Sequence, residues 1–227
     1  MLREIVLDTE TTGLDPSQGD RLVEIGCIEL INHIKTGNTF QTYLNPQRDV
    51  PQEAVRVHGL TEAFLKDKPL FTEKVDEFLT FIGDTTLVIH NAEFDMKFIN
   101  AELKSAGLKP LPMTQVIDTV LMARRKFPGQ PANLDALCRR FKIDNSGRKF
   151  HGALLDSELL SEVYLELLGG RQHGLGLGTK EAETSSLQLN ARIKRQTRPA
   201  RNFPVSPEEL ELHATFLLRI KNALWGL

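Results

Sequence analysis

The sequence is short of features that would set it apart from ordinary globular chains. It has only two cysteines, Cys27 and Cys138, and they form no CxxC pair. Each lies in an apolar-patterned segment, EIGCIEL and LDALCRRF, which suits buried free thiols rather than a disulfide framework. No run approaches the roughly 18 to 20 consecutive apolar residues that a membrane helix needs. The N-terminal MLREIVLDTE turns polar within eight residues and lacks the apolar core of a secretory signal, so a cytoplasmic protein is expected. No internal repeat is visible. Nor is there much excess charge, the net being −2, but that sum hides an asymmetry. Residues 1–170 carry 19 Lys and Arg against 25 Asp and Glu, and residues 171–227 carry 9 against 5. An acidic body does not exclude a nucleic-acid partner, because bound divalent cations reverse the local field.

The chain's 227 residues suffice for one domain with a sizeable core and an appendage. Val, Ile and Leu are concentrated in 3–8 and 22–31, which read as strands separated by the turn-forming GLDPSQGD. Residues 39–45 alternate well enough for a third strand, 86–90 for a short buried one, and 115–126 begin as a strand and pass into a basic helix. Helical spacing marks 61–65, 71–82, about 94–106, 134–141 and 152–168. Phe71, Val75, Phe78, Leu79 and Ile82 share one face, and Gly107 and Gly169-Gly170 act as stops. This order predicts an α/β fold: a mixed five-stranded sheet flanked by helices.

A composition break follows. Residues 171–204 are rich in Gly, Ser, Thr, Gln and Arg and read as a flexible linker between a 1–170 domain and a 205–227 tail. The tail opens with Ser206-Pro207-Glu208-Glu209, an N-cap, a proline at the first helical position and a glutamate three residues after the cap. Leu210, Ala214, Leu217, Lys221 and Leu224 then fall on one stripe, predicting an amphipathic helix over 206–224 that cannot bury its apolar face alone.

The chemistry-bearing residues are carboxylates. Asp8 and Glu10 end an apolar strand, and a period of two puts them on one face. They are either solvated strand-end acids or a pair held together by a cation. Thr11-Thr12-Gly13 directly after them suits a tight turn where backbone approaches a ligand. Asp95 follows the strand TLVIH at the start of a helix, where it is a favourable N-terminal charge or a third metal ligand, with His90 and Asn91 beside it. In HGALLDSELL, Gly152 allows His151 to lie in the loop before a helix while Asp156 projects from its second turn. Leucines flank Asp156 on both sides, and a buried carboxylate wants a partner. Four carboxylates and one histidine suit Mg²⁺ or Mn²⁺ rather than zinc. Two such ions would stabilise the attacking and leaving oxygens of a phosphodiester, and a histidine could take the proton of the attacking water.

Three segments carry a resemblance. DTETTG at 8–13, HNAEFD at 90–95 and HGALLD at 151–156 are similar to the signature segments of the DEDDh 3′→5′ exonucleases, which have a ribonuclease H-like fold. VHGL at 57–60, DKPLF at 67–71, FPG at 127–129, LDALCRRF at 134–141, IDNS at 143–146 and EVYLELLGG at 162–170 resemble, more narrowly, the epsilon (proofreading) subunits of bacterial DNA polymerase III.

The resemblance implies that Asp8, Glu10, Asp95 and Asp156 bind two Mg²⁺ or Mn²⁺ ions and that His151 is the general base. Thr9, Glu53 and His58 would join the metal ligands around the 3′-terminal nucleotide. From the residues alone, Glu53 and His58 are an acid and a histidine in a polar loop. Gln172-His173-Gly174-Leu175-Gly176-Leu177 fits the pattern of peptides that dock on the sliding clamp. The tail 205–227, with Trp225 as an anchor or as a residue folded back, resembles the tether to the polymerase alpha subunit. A theta-like subunit is a further implied partner. The competing expectation is a stand-alone DEDDh nuclease that trims RNA or repairs DNA.

Overall fold

The computed structural model describes residues 2–148, 150–170 and 205–220. The chain divides into two units, Met1–Gly178 and Thr179–Leu227, each considered by itself.

In the first unit, β1 (Arg3–Thr11), β2 (Leu22–Ile31) and β3 (Ile34–Tyr43) form an antiparallel meander. Helices α1 (Gln52–His58), α2 (Glu62–Leu65) and α3 (Phe71–Ile82) follow. Then come β4 (Thr86–Ile89), α4 (Ala92–Ser105), β5 (Val116–Asp118), α5 (Thr119–Lys126), α6 (Leu134–Phe141) and α7 (Ala153–Leu167). The sheet order is β3-β2-β1-β4-β5, with β4 parallel to β1 and β5 parallel to β4. The mixed five-stranded sheet is as the sequence predicts.

Both faces of the sheet are covered, which is why β1 reads as an unbroken apolar run rather than an alternating one. Ile5 and Leu7 pack on one face with Phe78 of α3 and Phe98 of α4. Val6 and Val88 pack on the other with Leu137 of α6 and Leu160 and Tyr164 of α7. Cys27 and Cys138 are buried and free.

Several boundaries differ from expectation, among them β1, which runs on to Thr11 rather than ending at 8. β3 starts at Ile34, not 39, because Asn32 and His33 both take positive φ (50° and 65°) and close a tight hairpin onto β2. Its first half is exposed and so carries no apolar alternation. α4 begins at Ala92, two residues early, since Asn91 turns the chain at φ 66°. The segment around Glu53 and His58 is helix α1, not a polar loop: Pro51 precedes it, Gly59 closes it in the left-handed conformation, and of its residues only His58 is buried.

In the second unit, α8 (Pro207–Leu217) starts as predicted, with Ser206 accepting from Glu209 N–H and Glu209 bonding back to Ser206 N–H at 3.0 Å. The regular helix runs to Leu217 and tightens through Arg219 N–H→Phe216 O and Ile220 N–H→Leu217 O bonds, and residues 221–224 of the expected helix lie outside the described residues. The linker 171–204, the Gln172–Leu177 peptide and Trp225 lie outside the described residues. Among the described residues no helix is long and apolar enough to cross a membrane.

Candidate active site

Parallel strands deliver their C-terminal ends to one edge of a sheet, and in α/β folds that edge is where ligands bind. Here β1 and β4 run parallel, with Leu7 opposite Ile89. Beyond that register point come Asp8, Thr9 and Glu10 on one strand and, through the Asn91 turn, Asp95 in the first turn of α4. Asp118, at the end of β5, accepts from the N–H groups of Asn91 and Ala92 at 3.3 and 3.2 Å. It does the capping that Asn91's own side chain does not, and it fixes where α4 starts. The Thr9 hydroxyl donates to Asp95 Oδ1 at 2.7 Å, locking α4 to β1.

Asp156 reaches the same edge on α7, from its first turn rather than its second. Gly26, opposite Asp8 in the β1–β2 ladder, makes this possible. A Cβ at Gly26 would lie 2.3 Å from the backbone of Ala153 and Leu154. Glu24 accepts from Ala153 N–H at 3.1 Å, and Ser157 Oγ donates to Gly26 O at 3.0 Å. The start of α7 therefore rests flat on β2. His151 lies in the loop just before the helix, as expected.

Asp8, Thr9, Glu10, Glu53, His58, Asp95, His151 and Asp156 all line one cleft of about 640 Å³. Within it, Glu10, His151 and Asp156 offer ligand atoms all within 4.8 Å of one another. Asp8 and Asp95 are on the same cleft wall but outside that closest trio. Gly13 is closely approached not by a ligand but by Asp20: a Cβ there would lie 2.3 Å from Asp20 Oδ2 and displace that carboxylate.

Burial and mutual repulsion set the electrostatics. Burial, then the charges of Asp95, Glu10 and Asp156, holds the Asp8 carboxyl well above the usual range. Burial, then Asp156 and Glu24, pushes Glu10 to about 8. Asp95 is pushed to about 7 by burial, against the lowering effect of Thr9. Asp156 goes the other way: burial raises it, but His151 and Arg148 together hold it below the usual range. Carboxyls forced toward neutrality around an all-oxygen and imidazole donor set, with no thiolate, fit a hard divalent cation.

Arg148 is the main participant that the sequence did not reveal. Its Nε donates to Asp156 Oδ1 at 2.6 Å, and its Nη2 contacts Asp156 Oδ2. Nη1 donates to Asp135 Oδ1 at 2.7 Å, and Nη2 to His151 Nδ1 at 2.7 Å. A guanidinium can only donate, so Nδ1 of the neutral His151 ring accepts in this contact; in the protonated ring the same Nδ1 donates instead to Asp156 Oδ2, 3.2 Å away. The partners of Arg148 come from α6 and α7, and no periodicity around Arg148 signals them. His90 is a supporting residue: Nδ1 bonds Thr119 Oγ1 at 2.8 Å, and burial lowers its pKa. His58 accepts from Leu60 N–H at Nδ1 (3.0 Å), so Nε2 carries the proton. That buried Nε2 has no hydrogen-bond partner among the described residues.

The exonuclease family model matches residues 5–164. The chain is 54% identical to DNA polymerase III subunit epsilon of Rickettsia felis, covering 96% of this chain and 97% of that one. With the corresponding protein of Escherichia coli K12 the identity is 45%, covering 93% and 90%. Among solved structures, exonuclease X in complex with 5′ overhanging duplex DNA superposes with a TM-score of 0.59 at 26% identity, over 73% of this chain and 90% of that one. The nuclease domain of a DEDDh family member bound to rAMP shares the fold, with a TM-score of 0.62 at 21% identity over 73% and 91%.

Proposed function

The chain belongs to the exonuclease family, within its group of DNA polymerase III epsilon subunits, and from that premise we propose how its residues carry out 3′→5′ hydrolysis. It is a 3′→5′ exonuclease subunit of DNA polymerase III that serves replication by proofreading, and its family depends on divalent metal. The observation that carries the residue assignment is the convergence of Asp8, Glu10, Asp95 and Asp156 with His151 on one cleft, with the pKa values of Asp8, Glu10 and Asp95 raised by burial and Asp156 held ionised beside Arg148.

Asp8, Glu10, Asp95 and Asp156 would hold two Mg²⁺ or Mn²⁺ ions. Ions so held stabilise the attacking and leaving oxygens of the scissile phosphodiester. His151, on the cleft rim, would accept the proton of the attacking water at its one unprotonated nitrogen, Nδ1, which gives up the Arg148 contact to do so. Thr9 fixes Asp95 through its hydroxyl and lines the site of the terminal nucleotide. Glu53 and His58, both on α1, face that nucleotide, and the unpartnered Nε2–H of His58 supplies a donor for a sugar or phosphate oxygen. A mispaired end costs less to unpair, so it is delivered as a single strand more often.

The remaining assignments concern assembly. Residues 1–170 form the exonuclease domain. Residues 171–204 are a linker whose Gln172–Leu177 segment contacts the sliding clamp, and 205–227 tethers the polymerase alpha subunit; a theta-like subunit is a further partner. Support for the tether is the capped helix α8 with Leu210, Leu212 and Phe216 exposed. The test of function is digestion of a 5′-labelled DNA with a paired or mismatched 3′ end. Stepwise shortening that is faster on the mismatch and abolished by EDTA is expected. Cleavage from the 5′ end, or digestion that persists in EDTA, would refute the assignment.

A further inference from the structure

His151 is carried by a segment that has a specific seat on α1. The ring of Phe150 packs against Gly59: a Cβ at Gly59 would lie 3.2 Å from Phe150 Cγ. Gly59 closes α1 at φ +77°, its N–H donating to Val55 O at 2.8 Å. One residue beyond the ring, His151 N–H donates to Val57 O at 3.0 Å. Val57 lies in the last turn of α1, where backbone carbonyls lack partners within the helix, so the bond satisfies both groups. An aromatic ring and a backbone bond thus pin Phe150 and His151 to the same helix that brings Glu53 and His58 to the cleft. The other face of the ring is open, Phe150 being 55% exposed, so it is not a core residue held by general packing.

We propose that Phe150 is a positioning residue for His151. By seating on Gly59 it ties the general base to α1, so that the helix contacting the terminal nucleotide also sets the place of the proton acceptor. The inference rests on the assignment of His151 as base.

The test compares Phe150→Ala, Phe150→Leu and His151→Ala on two substrates: a labelled oligonucleotide, and thymidine 5′-monophosphate p-nitrophenyl ester, which has no upstream base. Misplacing a catalytic group by an ångström costs up to about 100-fold, so kcat of Phe150→Ala should fall about 10- to 100-fold on both substrates. KM and calorimetric Mn²⁺ affinity should stay within about twofold of wild type, well short of the tenfold that 1.4 kcal/mol represents. Phe150→Leu should recover most of kcat, and the His151 amide should exchange faster in Phe150→Ala than in wild type. Unchanged kcat, a KM rise confined to the oligonucleotide (a base-stacking platform), or a parallel loss of Mn²⁺ affinity would overturn the proposal. His151→Ala separates the two readings. If it is inactive while Phe150→Ala is fully active, only the seat is wrong. If it is as active as wild type, the base assignment itself fails.

Discussion

Gly26 and Leu154 are in backbone contact: a Cβ on the glycine would lie 2.3 Å from Leu154 N. Gly26 also stands opposite Asp8 in the β1–β2 ladder, so this one contact sets how near α7 brings Asp156 to the end of β1. Gly26→Ala should push α7 off the sheet, at an overpacking cost of about 1–3 kcal/mol. Activity should fall further than stability accounts for, by about 100-fold in kcat. Urea denaturation alongside steady-state kinetics checks this, and a variant that is destabilised yet fully active would count against the placement.

Arg148 is the cation that Asp156 already has. Both side chains are nearly buried, at 8% and 4% exposure. Removing one partner of such a pair typically costs about 3–5 kcal/mol, because the other charge is left uncompensated. Arg148→Gln should therefore lower stability by that order in EDTA, and by clearly less with saturating Mn²⁺, which supplies a substitute positive charge. Equal losses under both conditions would mean that Arg148 and the metal act on different carboxylates.

The raised carboxyls make stability depend on pH. Glu10, at about 8, and Asp95, at about 7, hold their protons more tightly in the folded chain than in the unfolded one. Their contribution is fully present below the usual carboxylate range and is lost as pH rises through about 7 to 8. Thermal melts in EDTA should therefore show a falling Tm from about pH 5 to pH 8, and Mg²⁺ should largely abolish the slope by favouring the ionised forms. A Tm that rises over this interval without metal would contradict these directions.

His58 Nε2 is buried and makes no well-formed hydrogen bond among the described residues, the Thr11 backbone being near enough only to offset part of the lowering of its pKa by burial. An unmade hydrogen bond of this kind costs about 1–3 kcal/mol when buried. His58→Phe removes the unpaired donor but also the acceptor of Leu60 N–H, so the free protein should stay within about 1 kcal/mol of wild type, while KM for DNA ends rises by about tenfold, the equivalent of 1.4 kcal/mol. A stability loss with unchanged KM would make His58 a packing residue.

Much of this architecture is legible from local rules. The bounds of β2, α3 and α6 coincide with the predicted ones because each has a period, a cap or a glycine stop within its own residues. Asp8, Glu10, Asp95, His151 and Asp156 announce themselves by residue type and context. Helix α1 does not, since only His58 at its C-terminal end is buried and it shows no apolar stripe. Arg148, Gly26 and Asp118 are invisible for another reason. Each matters through a partner brought from a distant segment: Asp135 and Asp156, the α7 backbone, and the Asn91 and Ala92 amides.

The most direct measurement counts ions. Mn²⁺ binding in the presence of thymidine 5′-monophosphate, followed by calorimetry, should give two ions per chain for wild type and for His151→Ala. Asp8→Ala, Glu10→Ala, Asp95→Ala and Asp156→Ala should each lose at least one. Two ions retained in all four carboxylate variants, or none bound by wild type, would contradict the assignment of this cleft as the metal-dependent active site.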